Sequence, residues 1–367
     1  MENRLIYFAV TNDLSYDQRM IRSCKTLATA GYQVKLIGRL KNTSLPTKQR
    51  SFEQVRLSCY FQKGKLFYLE YNLRLLFFLL FQKAGLMVAV DLDTLWAVSW
   101  AARLRRLPHA YDAHEYFSEV PEVVGRPKVQ QFWEWTARRL VPKTVFSYTV
   151  CESLAKIFQQ KYHKPFTCIR NVPHQKAYPE VGKAEPPVLL YQGALNEGRG
   201  LPELLTALQS MEDIELWLAG EGDCSNALRE QSKALKLDEK VRFLGYVLPE
   251  DLPRLTRRAT IGLNLLENKG LNYYYSLANK TFDYIMAEVP AIHMNFPEYR
   301  LLNEEFQTGL LIEDLEADTI VQAVRSLLED PSTYQRLKNN CRKAKAVLNW
   351  SQESEKLLAL FQKNYPL

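Results

Sequence analysis

Residues 5–37, LIYFAVTNDLSYDQRMIRSCKTLATAGYQVKLI, contain the pattern that decides the fold. The continuous apolar run Leu5–Val10 is typical of a strand buried on both faces of a parallel sheet. Gly31 supplies a helix stop, and apolar residues return at 34–37. Between these two runs, apolar residues recur at helical spacing: Met20, Ile21, Cys24, Leu27 and Ala28. The stretch therefore predicts a strand–helix–strand unit, from which parallel sheets are built.

The same alternation continues on both sides of a break. Apolar strand-like segments run from 86, 109, 145 and 166 in the first half and from 188, 215, 241, 261 and 290 in the second. The break is Tyr178–Pro187, rich in Pro, Gly and charge. We expect an α/β fold with two Rossmann-like, doubly wound parallel-sheet domains, residues 1–180 and 185–348, followed by an amphipathic segment at 351–367. Ligands of such sheets bind beyond the strands' carboxyl ends, so a cleft between the domains is the expected site.

Length and composition exclude several protein classes. The chain has 367 residues, 47% of them hydrophobic and 24% charged, which is ordinary for two globular domains and excludes disordered and collagen-like chains. Its six cysteines are far apart and form no Cys-x-x-Cys pair. This usage predicts free thiols in a reducing compartment and neither a disulfide scaffold nor a zinc site.

The net charge of +7 conceals an asymmetry between the halves. Residues 1–183 carry 28 Lys and Arg against 14 Asp and Glu, a net +14, whereas residues 184–367 carry 20 against 27, a net −7. A basic half suits an anionic membrane surface, a phosphorylated substrate or nucleic acid, the alternative being an uneven solvated surface without a partner. Nucleic acid is disfavoured because no aromatic residues are interleaved with the arginine clusters at 103–106 and 138–143.

The apolar segments are too short for targeting or spanning. The run in MENRLIYFAV is shorter than a signal-peptide core and lacks a small-residue cleavage site. LLFFLLF, residues 75–81, is bounded by Arg74 and Gln82, whereas a spanning helix needs about 20 apolar residues. We therefore expect a cytoplasmic protein. LLFFLLF is either a helix packed on the sheet or a lipid-facing surface of a membrane-associated enzyme.

Two loops predict phosphate binding. Residues 194–202, ALNEGRGLP, follow a strand and enter a helix, and they contain Arg199 and Gly200. Small residues let backbone amides approach a phosphate, and Arg199 adds a planar donor fork. The alternative is a tight turn with a solvated arginine. The next strand ends at Gly220, again in a glycine-containing loop, which alone is a weak signal.

Residues 272–290, NYYYSLANKTFDYIMAEVP, are the most informative stretch. Asn279 is the predicted N-cap of a helix whose first turn carries Lys280 and Asp283 on one face. A cation there suits a diphosphate and a carboxylate suits a ribose diol. The alternative is a surface ion pair.

This segment resembles the nucleotide-sugar signature of GT-B-fold retaining glycosyltransferases of family 4 (glycosyl transferases group 1), and the resemblance covers nearly the whole chain. The family has two Glu separated by seven residues. The second corresponds to Asp283 and the first to Tyr275, which is not a carboxylate. The chain instead resembles a subgroup with an Asn-Lys-x-Phe-acid-Tyr core, here residues 279–284. Two further departures are Ala194 in place of an Arg and Glu288 in place of a Gly.

The resemblance implies roles for individual residues. The catalytic group would be His114 near the donor sugar, with Arg199 and Lys280 neutralising the leaving diphosphate. Donor binding would involve Gly193, Gly200, Gly220, Tyr246, Val247, Asn279 and Asp283. On the acceptor side we expect Asp13, Glu115, Glu119, Arg103 and Arg106. The end of the chain resembles the family's closing helix, which crosses back to the first domain.

The function implied is transfer of a hexose-type sugar from a nucleoside-diphosphate-sugar to a carbohydrate or lipid-linked acceptor, with retained anomeric configuration, in cell-surface polysaccharide or glycolipid synthesis. Two alternatives stay open: a nucleotide-sugar epimerase or hydrolase, and a non-catalytic nucleotide- or sugar-binding protein. No cofactor or metal is expected. Asp91-Leu92-Asp93 spells the Asp-x-Asp metal motif of another glycosyltransferase fold, but we interpret it as a strand-end loop. Peripheral contact with an anionic inner membrane is expected only if the basic half faces lipid.

Overall fold

The computed structural model describes residues 4–176 and 181–367. It divides into two compact units. The first contains the residues up to Asn171 together with Gln352–Leu367, and the second is Val172–Ser351. Part of the predicted linker, residues 178–180, lies outside the described residues. Its described end belongs to the second unit, where the Ala184 N–H donates to the Arg258 carbonyl at 2.9 Å.

The described residues of the first unit form a seven-stranded parallel sheet in the order β3-β2-β1-β4-β5-β6-β7. Its strands are β1 Leu5–Ala9, β2 Gln33–Leu40, β3 Glu53–Ser58, β4 Leu86–Val90, β5 His109–Ala113, β6 Ser147–Thr149 and β7 Phe166–Cys168. Its helices are α1 Gln18–Thr29, α2 Gly64–Leu80, α3 Leu92–Arg105, α4 Pro121–Val124, α5 Pro127–Leu140 and α6 Glu152–Tyr162, with 3₁₀ turns at Phe117–Glu119 and Val141–Lys143.

The opening strand–helix–strand unit follows the sequence pattern. All residues of β1 are buried, as a strand covered on both faces requires. The Asp17 carboxylate caps α1 by accepting from the Met20 N–H at 2.9 Å. Gly31, at φ +103°, makes the left-handed turn into β2. The predicted parallel sheet is confirmed.

The second unit contains a six-stranded parallel sheet in the order β10-β9-β8-β11-β12-β13. Its strands are β8 Val188–Gln192, β9 Glu215–Ala219, β10 Val241–Gly245, β11 Ile261–Asn264, β12 Ala291–Met294 and β13 Gly309–Ile312. Its helices are α7 Leu201–Leu208, α8 Ser225–Ala234, α9 Leu252–Arg258, α10 Leu271–Tyr274, α11 Asn279–Met286, α12 Pro297–Phe306, α13 Ala317–Glu329 and α14 Pro331–Val347. Both predicted α/β domains are therefore present.

The last helix, α15 Trp350–Asn364, runs into the first unit. Phe361 is fully buried there, with its ring centroid 5.0 Å from that of Phe146 and 6.1 Å from that of Phe8. The Glu353 carboxylate accepts from the Arg170 N–H at 2.9 Å. The predicted return of the chain end to the first domain is confirmed.

LLFFLLF lies at the end of α2, which is 17 residues long. Leu75 and Leu79 are fully buried, whereas Phe77 is 60% exposed. The run is therefore packed on the unit on one face only. Among the described residues, no helix is long and apolar enough to span a bilayer.

Candidate active site

The carboxyl ends of β8 and β9 meet at one edge of the second sheet, which we call the second-unit edge together with the turns after β11 and β12. Gly193, at φ +130°, follows β8, and its N–H donates to the Ala219 carbonyl at 3.0 Å. A Cβ on Gly220 would lie 1.9 Å from the Gly193 carbonyl oxygen. The two turns touch backbone to backbone, so both positions need glycine.

Arg199 lies at this edge, immediately before Gly200, the N-cap of α7 at φ +62°. Its guanidinium carbon is 4.6 Å from the centroid of the Tyr273 ring, whose hydroxyl donates to the Glu197 carbonyl at 3.2 Å. Within residues 4–176 and 181–367, the buried Nε of Arg199 has no hydrogen-bond partner. The ring face thus holds the cation while leaving donor capacity for an anion.

Lys280, in the first turn of α11, is the second cation of the edge. Its ammonium lies 3.6 Å from the centroid of the Tyr191 ring and is 3.6 Å from the position that a Cβ on Gly193 would take. The side chain is only 8% exposed, and no carboxylate in the described ranges forms an ion pair with it. Burial, aided by the Arg199 charge and opposed by Asp283, lowers the pKa of Lys280 well below its usual value. The edge is therefore short of negative charge.

Asp283 is oriented by a hydrogen-bonded chain. Gln192 donates from Nε2 to the Asp283 carboxylate at 2.8 Å and accepts from the Thr256 hydroxyl at 2.8 Å.

The predicted N-cap, Asn279, is off by one residue: Ala278 is the N-cap of α11, and Asn279 is its first helical residue. The Ala278 N–H donates to the Tyr299 hydroxyl at 3.1 Å, which holds Ala278 in the extended conformation that a cap requires.

Two buried polar residues at this edge, His293 and Thr281, were not predicted from the sequence. His293 on β12 pairs in register with Asn264 on β11, and its ring stacks on Tyr299 with centroids 5.0 Å apart. Burial and the Lys280 charge lower the pKa of His293 to about 3, so the ring is neutral. For the part of the chain that is described, neither His293 Nδ1 nor the Thr281 hydroxyl has a partner. Buried unpaired polar atoms of this kind call for a ligand or ordered water. The sequence signal for His293 is a polar residue that interrupts the apolar strand segment PAIHM, as Asn264 interrupts IGLNLL.

Tyr246 and Val247 follow β10 at the same edge. Tyr246 is 59% exposed, whereas Val247 packs on the core cluster that contains Trp217 and Ala219. They are thus separated from β8 by one strand, β9.

The corresponding edge of the first sheet, which we call the first-unit edge, lies after β1, β4 and β5 and centres on His114. His114 Nε2 is 3.0 Å from an Asp112 oxygen, and Nδ1 is 3.8 Å from an Asp91 oxygen. Asp112 is fully buried and is also paired with Arg19 at 2.9 Å. Burial favours the neutral acid, but Arg19 and His114 outweigh it and lower the pKa of Asp112 to about 2. Because an ionised carboxylate only accepts, Nε2 donates to it and Nδ1 is the basic nitrogen of the neutral ring.

His114 is 21% exposed, so this nitrogen can meet a ligand. Burial lowers the pKa of His114, but the carboxylates of Asp112 and Asp91 more than compensate, and the pKa is raised. Sequence reasoning singled out His114 but not its carboxylate partners as a set, since the partnership depends on β4 lying next to β5.

Asp91 is strained, with a left-handed backbone at φ +58° as N-cap of α3. Its carboxylate accepts from the His114 N–H at 2.8 Å, which compensates for the strain.

The interpretation of Asp91-Leu92-Asp93 as a loop is wrong: α3 begins at Leu92, directly after Asp91. Asp93 is buried, accepts from the Thr11 hydroxyl, and has its pKa raised to about 7 by burial. No cluster of three or more His, Cys, Asp or Glu side chains fit to hold a metal ion occurs among the described residues.

The acceptor-side candidates are not all brought together. Asp13 follows β1 and pairs with Arg56 at 3.1 Å, and Glu115 directly follows His114. Glu119 accepts from Gln130 at 2.9 Å on the 3₁₀ turn at 117–119. Arg103 and Arg106, by contrast, lie at the far end of α3, about 20 Å from Asp91 at 1.5 Å per helical residue. The structure does not group these arginines with His114.

Comparison with known proteins identifies a matching family. The family model described as Glycosyl transferases group 1 matches residues 175–344. Glycogen synthase of Mycobacterium tuberculosis is 24% identical over 238 residues, which cover 62% of this chain and 55% of that protein. The chain thus spans about half the length of the curated relatives it matches.

Solved structures match over almost the whole chain. Sucrose-phosphate synthase from Thermosynechococcus elongatus superposes with a TM-score of 0.80 at 16% identity, covering 98% of this chain and 99% of that one. Anabaena HepE in complex with UDP gives a TM-score of 0.75 at 14% identity, covering 98% and 100%. The fold is that of the GT-B glycosyltransferases, and the resemblance to group 1 drawn from the sequence is confirmed.

Proposed function

Because a segment matching the glycosyl transferases group 1 model lies on a GT-B fold, we propose that this chain transfers a sugar from a nucleoside-diphosphate-sugar to a carbohydrate or lipid-linked acceptor. One observation carries the proposal. Arg199 and Lys280 lie on aromatic faces at the starts of α7 and α11, and no described carboxylate forms an ion pair with either. A diphosphate supplies the missing negative charge.

The catalytic task in this proposal is stabilisation of the leaving diphosphate. As the bond to the sugar breaks, negative charge grows on the phosphate oxygens, and preorganised cations stabilise that charge without reorganising. Asp283, oriented by Gln192, would accept hydrogen bonds from the ribose diol. Tyr246 and Val247 would line the base. The nucleotide complex of HepE, a structural relative, supports a uridine diphosphate donor.

His114 is the proposed contact to the donor sugar. In its neutral form Nδ1 accepts from a sugar hydroxyl, while the Asp112 carboxylate fixes the ring and its tautomer. By resemblance, the anomeric configuration would be retained, the sugar would be a hexose, and a resident metal would not take part. Cell-surface polysaccharide or glycolipid synthesis is the proposed setting.

A second candidate is a nucleotide-sugar epimerase or hydrolase. The observation that favours it is the His114–Asp112 pair, which has the geometry of an orienting carboxylate and a general base. Such an enzyme would consume donor without any acceptor. A non-catalytic binding protein would instead retain nucleotide affinity without turnover, and the Tyr275 and Ala194 departures are in its favour.

The first test is thermal stabilisation by a panel of nucleoside diphosphates and their sugars in EDTA. A ligand that binds only the native state raises the melting temperature. We expect a selective rise with one base, UDP being the first candidate, followed by acceptor-dependent release of nucleoside diphosphate from the sugar form. Release without acceptor would favour the hydrolase, and no stabilisation by any nucleotide would overturn the donor assignment.

A further inference from the structure

Three packed helices of the first unit expose apolar side chains to solvent. Helix α2 packs on α3, and α3 packs on α5. We call their shared outer surface the helical face; its exposed apolar residues include Leu69, Leu73 and Phe77 on α2, Trp100 and Leu104 on α3, and Trp135 on α5. Each of these side chains is 39–60% exposed. Soluble proteins seldom leave contiguous surfaces of this kind uncovered.

The exposed apolar stripe on α2 is not required for folding. The helix already has one apolar stripe at i, i+4 spacing, Phe67, Tyr71, Leu75 and Leu79, and all four residues are buried. Residues 69, 73 and 77 repeat the same spacing about 200° around the helix, where a globular protein normally places polar residues. A helix with two opposed apolar stripes is built to be covered on both sides.

The orientation of α2 is fixed rather than incidental. Asn72, buried between the helices, donates to the Asp93 carbonyl at 2.7 Å and accepts from the Ala97 N–H at 3.3 Å. At the other end, the Arg105 guanidinium donates to the Leu79 carbonyl at 2.8 Å. These bonds hold α2 against α3 so that the second stripe stays on the outside.

The charges around the helical face are positive. Its acids are neutralised locally, because Glu70 pairs with Arg74 at 2.8 Å and Glu134 with Lys161 at 2.6 Å. The exposed cations on or flanking these helices include Lys63, Lys65, Lys83, Arg103, Arg106 and Arg139. Arg103 lies 5.5 Å from the Trp100 ring centroid, so cation and aromatic ring form one surface. Tryptophan, leucine and arginine together are typical of surfaces at a lipid–water interface.

We propose that the helical face docks on an anionic lipid bilayer, with the apolar stripe of α2 in the interface and the surrounding cations against the head groups. The excess of cations selects an anionic surface over a neutral one. Arg103 and Arg106 lie at the end of α3 opposite Asp91, so docking leaves the first-unit edge open to solvent. The role of these arginines is thereby lipid contact rather than acceptor binding.

The test is sedimentation of the full chain with vesicles of phosphatidylcholine and phosphatidylglycerol in equal parts, beside vesicles of phosphatidylcholine alone. We expect binding to the anionic vesicles, weakened by salt, and a blue shift of tryptophan emission on binding. Leu69→Ser with Phe77→Ser abolishes binding, while Leu301→Ser, at a residue 46% exposed on α12 of the second unit, leaves it unchanged.

The charge contribution is tested separately. Arg103→Gln with Arg106→Gln lowers affinity for the anionic vesicles about thirtyfold, since each basic residue near such a surface contributes about fivefold. Arg254→Gln, at an exposed arginine of the second unit, is the matched control and leaves affinity unchanged.

Two results would overturn the proposal. One is equal binding to neutral and anionic vesicles by wild type and all variants. The other is absence of wild-type binding to the anionic vesicles. If the chain then self-associates and the Leu69→Ser, Phe77→Ser variant abolishes this, the helical face is assigned to a second copy of the chain. Vesicle binding is measured without nucleotide, and nucleotide-induced thermal stabilisation of each variant confirms its fold, so failure here leaves the proposed function untouched.

Discussion

The two sheet edges lie at the carboxyl ends of parallel strands, but the charged groups at the two edges differ in sign. In each unit, the groups at the edge have the sign opposite to the net charge of that half of the chain. The half with net +14 places Asp91 and Asp112 against one histidine. The half with net −7 leaves Arg199 and Lys280 without an ion-pair partner among the described carboxylates. Net charge therefore describes a domain's outer surface, whereas its site depends on a few buried groups. The comparison predicts that anionic ligands bind at the second-unit edge and that a sugar hydroxyl is bound at the first.

The largest effect is expected at His114. In His114→Ala we expect the turnover rate to fall about 10²- to 10³-fold, the range associated with loss of one positioned hydrogen-bonding group at a reacting centre. Nucleotide affinity should be unchanged, because the cations of the second-unit edge are intact. Steady-state kinetics and calorimetric titration measure the two separately. Unchanged turnover would show that His114 has no role in the reaction. Loss of nucleotide binding would contradict the assignment of nucleotide binding to the second-unit edge.

Asp112→Asn tests how much the buried Arg19–Asp112 ion pair at the first-unit edge stabilises the fold. Removing one partner of the buried Arg19–Asp112 pair should lower the free energy of unfolding by about 3–5 kcal/mol. Glu53→Gln, which removes the exposed partner of Lys35, is the control and should cost about 0–1 kcal/mol. Equal denaturant midpoints for the two variants would show that the buried pair adds nothing.

The pH dependence of stability follows from the same pair. The pKa of Asp112 is lowered to about 2 in the folded chain, against about 3.9 for an unfolded Asp. The stabilisation is therefore present above pH about 4 and is lost as the pH falls towards 2. Acid unfolding of wild type should include this loss, and Asp112→Asn should lack it. Parallel unfolding curves for the two between pH 4 and 2 would contradict the assignment.

At the second-unit edge, Arg199→Ala and Lys280→Met should each weaken nucleoside diphosphate binding by about 10- to 100-fold, the value of one charge-assisted hydrogen bond. Binding of the free nucleoside should change little. Lys269→Met, which removes a lysine already paired with Glu197 and Glu267, is the matched control. Diphosphate binding like wild type in both site variants would refute the phosphate assignment.

The smallest predicted effect is proton uptake on binding. Because burial holds the pKa of Lys280 well below its usual value and a bound diphosphate would raise it, binding should take up a fraction of a proton, and affinity should fall as pH rises. Calorimetry in buffers of different ionisation enthalpy measures the uptake. Lys280→Met should abolish it; uptake that persists in this variant would assign the proton to another group.

The fold could be predicted wherever the local pattern was strong. Continuous apolar runs predicted β1 and β8, and glycine-rich turns predicted the loops around Gly193 and Arg199. Strand β3 was missed because EQVRLS is an edge strand of mixed burial without an apolar run.

The site was less predictable because its contacts are between distant segments. The His114–Asp91 contact depends on β4 and β5 being neighbours in the sheet. In the same way, the position of His293 near Lys280 depends on how β12 is placed relative to α11. Likewise, sequence periodicity alone could not tell that the LLFFLLF part of α2 is covered on one face and exposed on the other, since that run has apolar residues on all sides.

Amide hydrogen exchange, measured with and without the nucleoside diphosphate that stabilises the chain most, tests the central comparison directly. We expect protection in peptides covering 193–200 and 278–286, at the second-unit edge. Protection confined to peptides covering 91–93 and 112–115 would contradict it, because the anion would then bind at the edge that already holds the carboxylates.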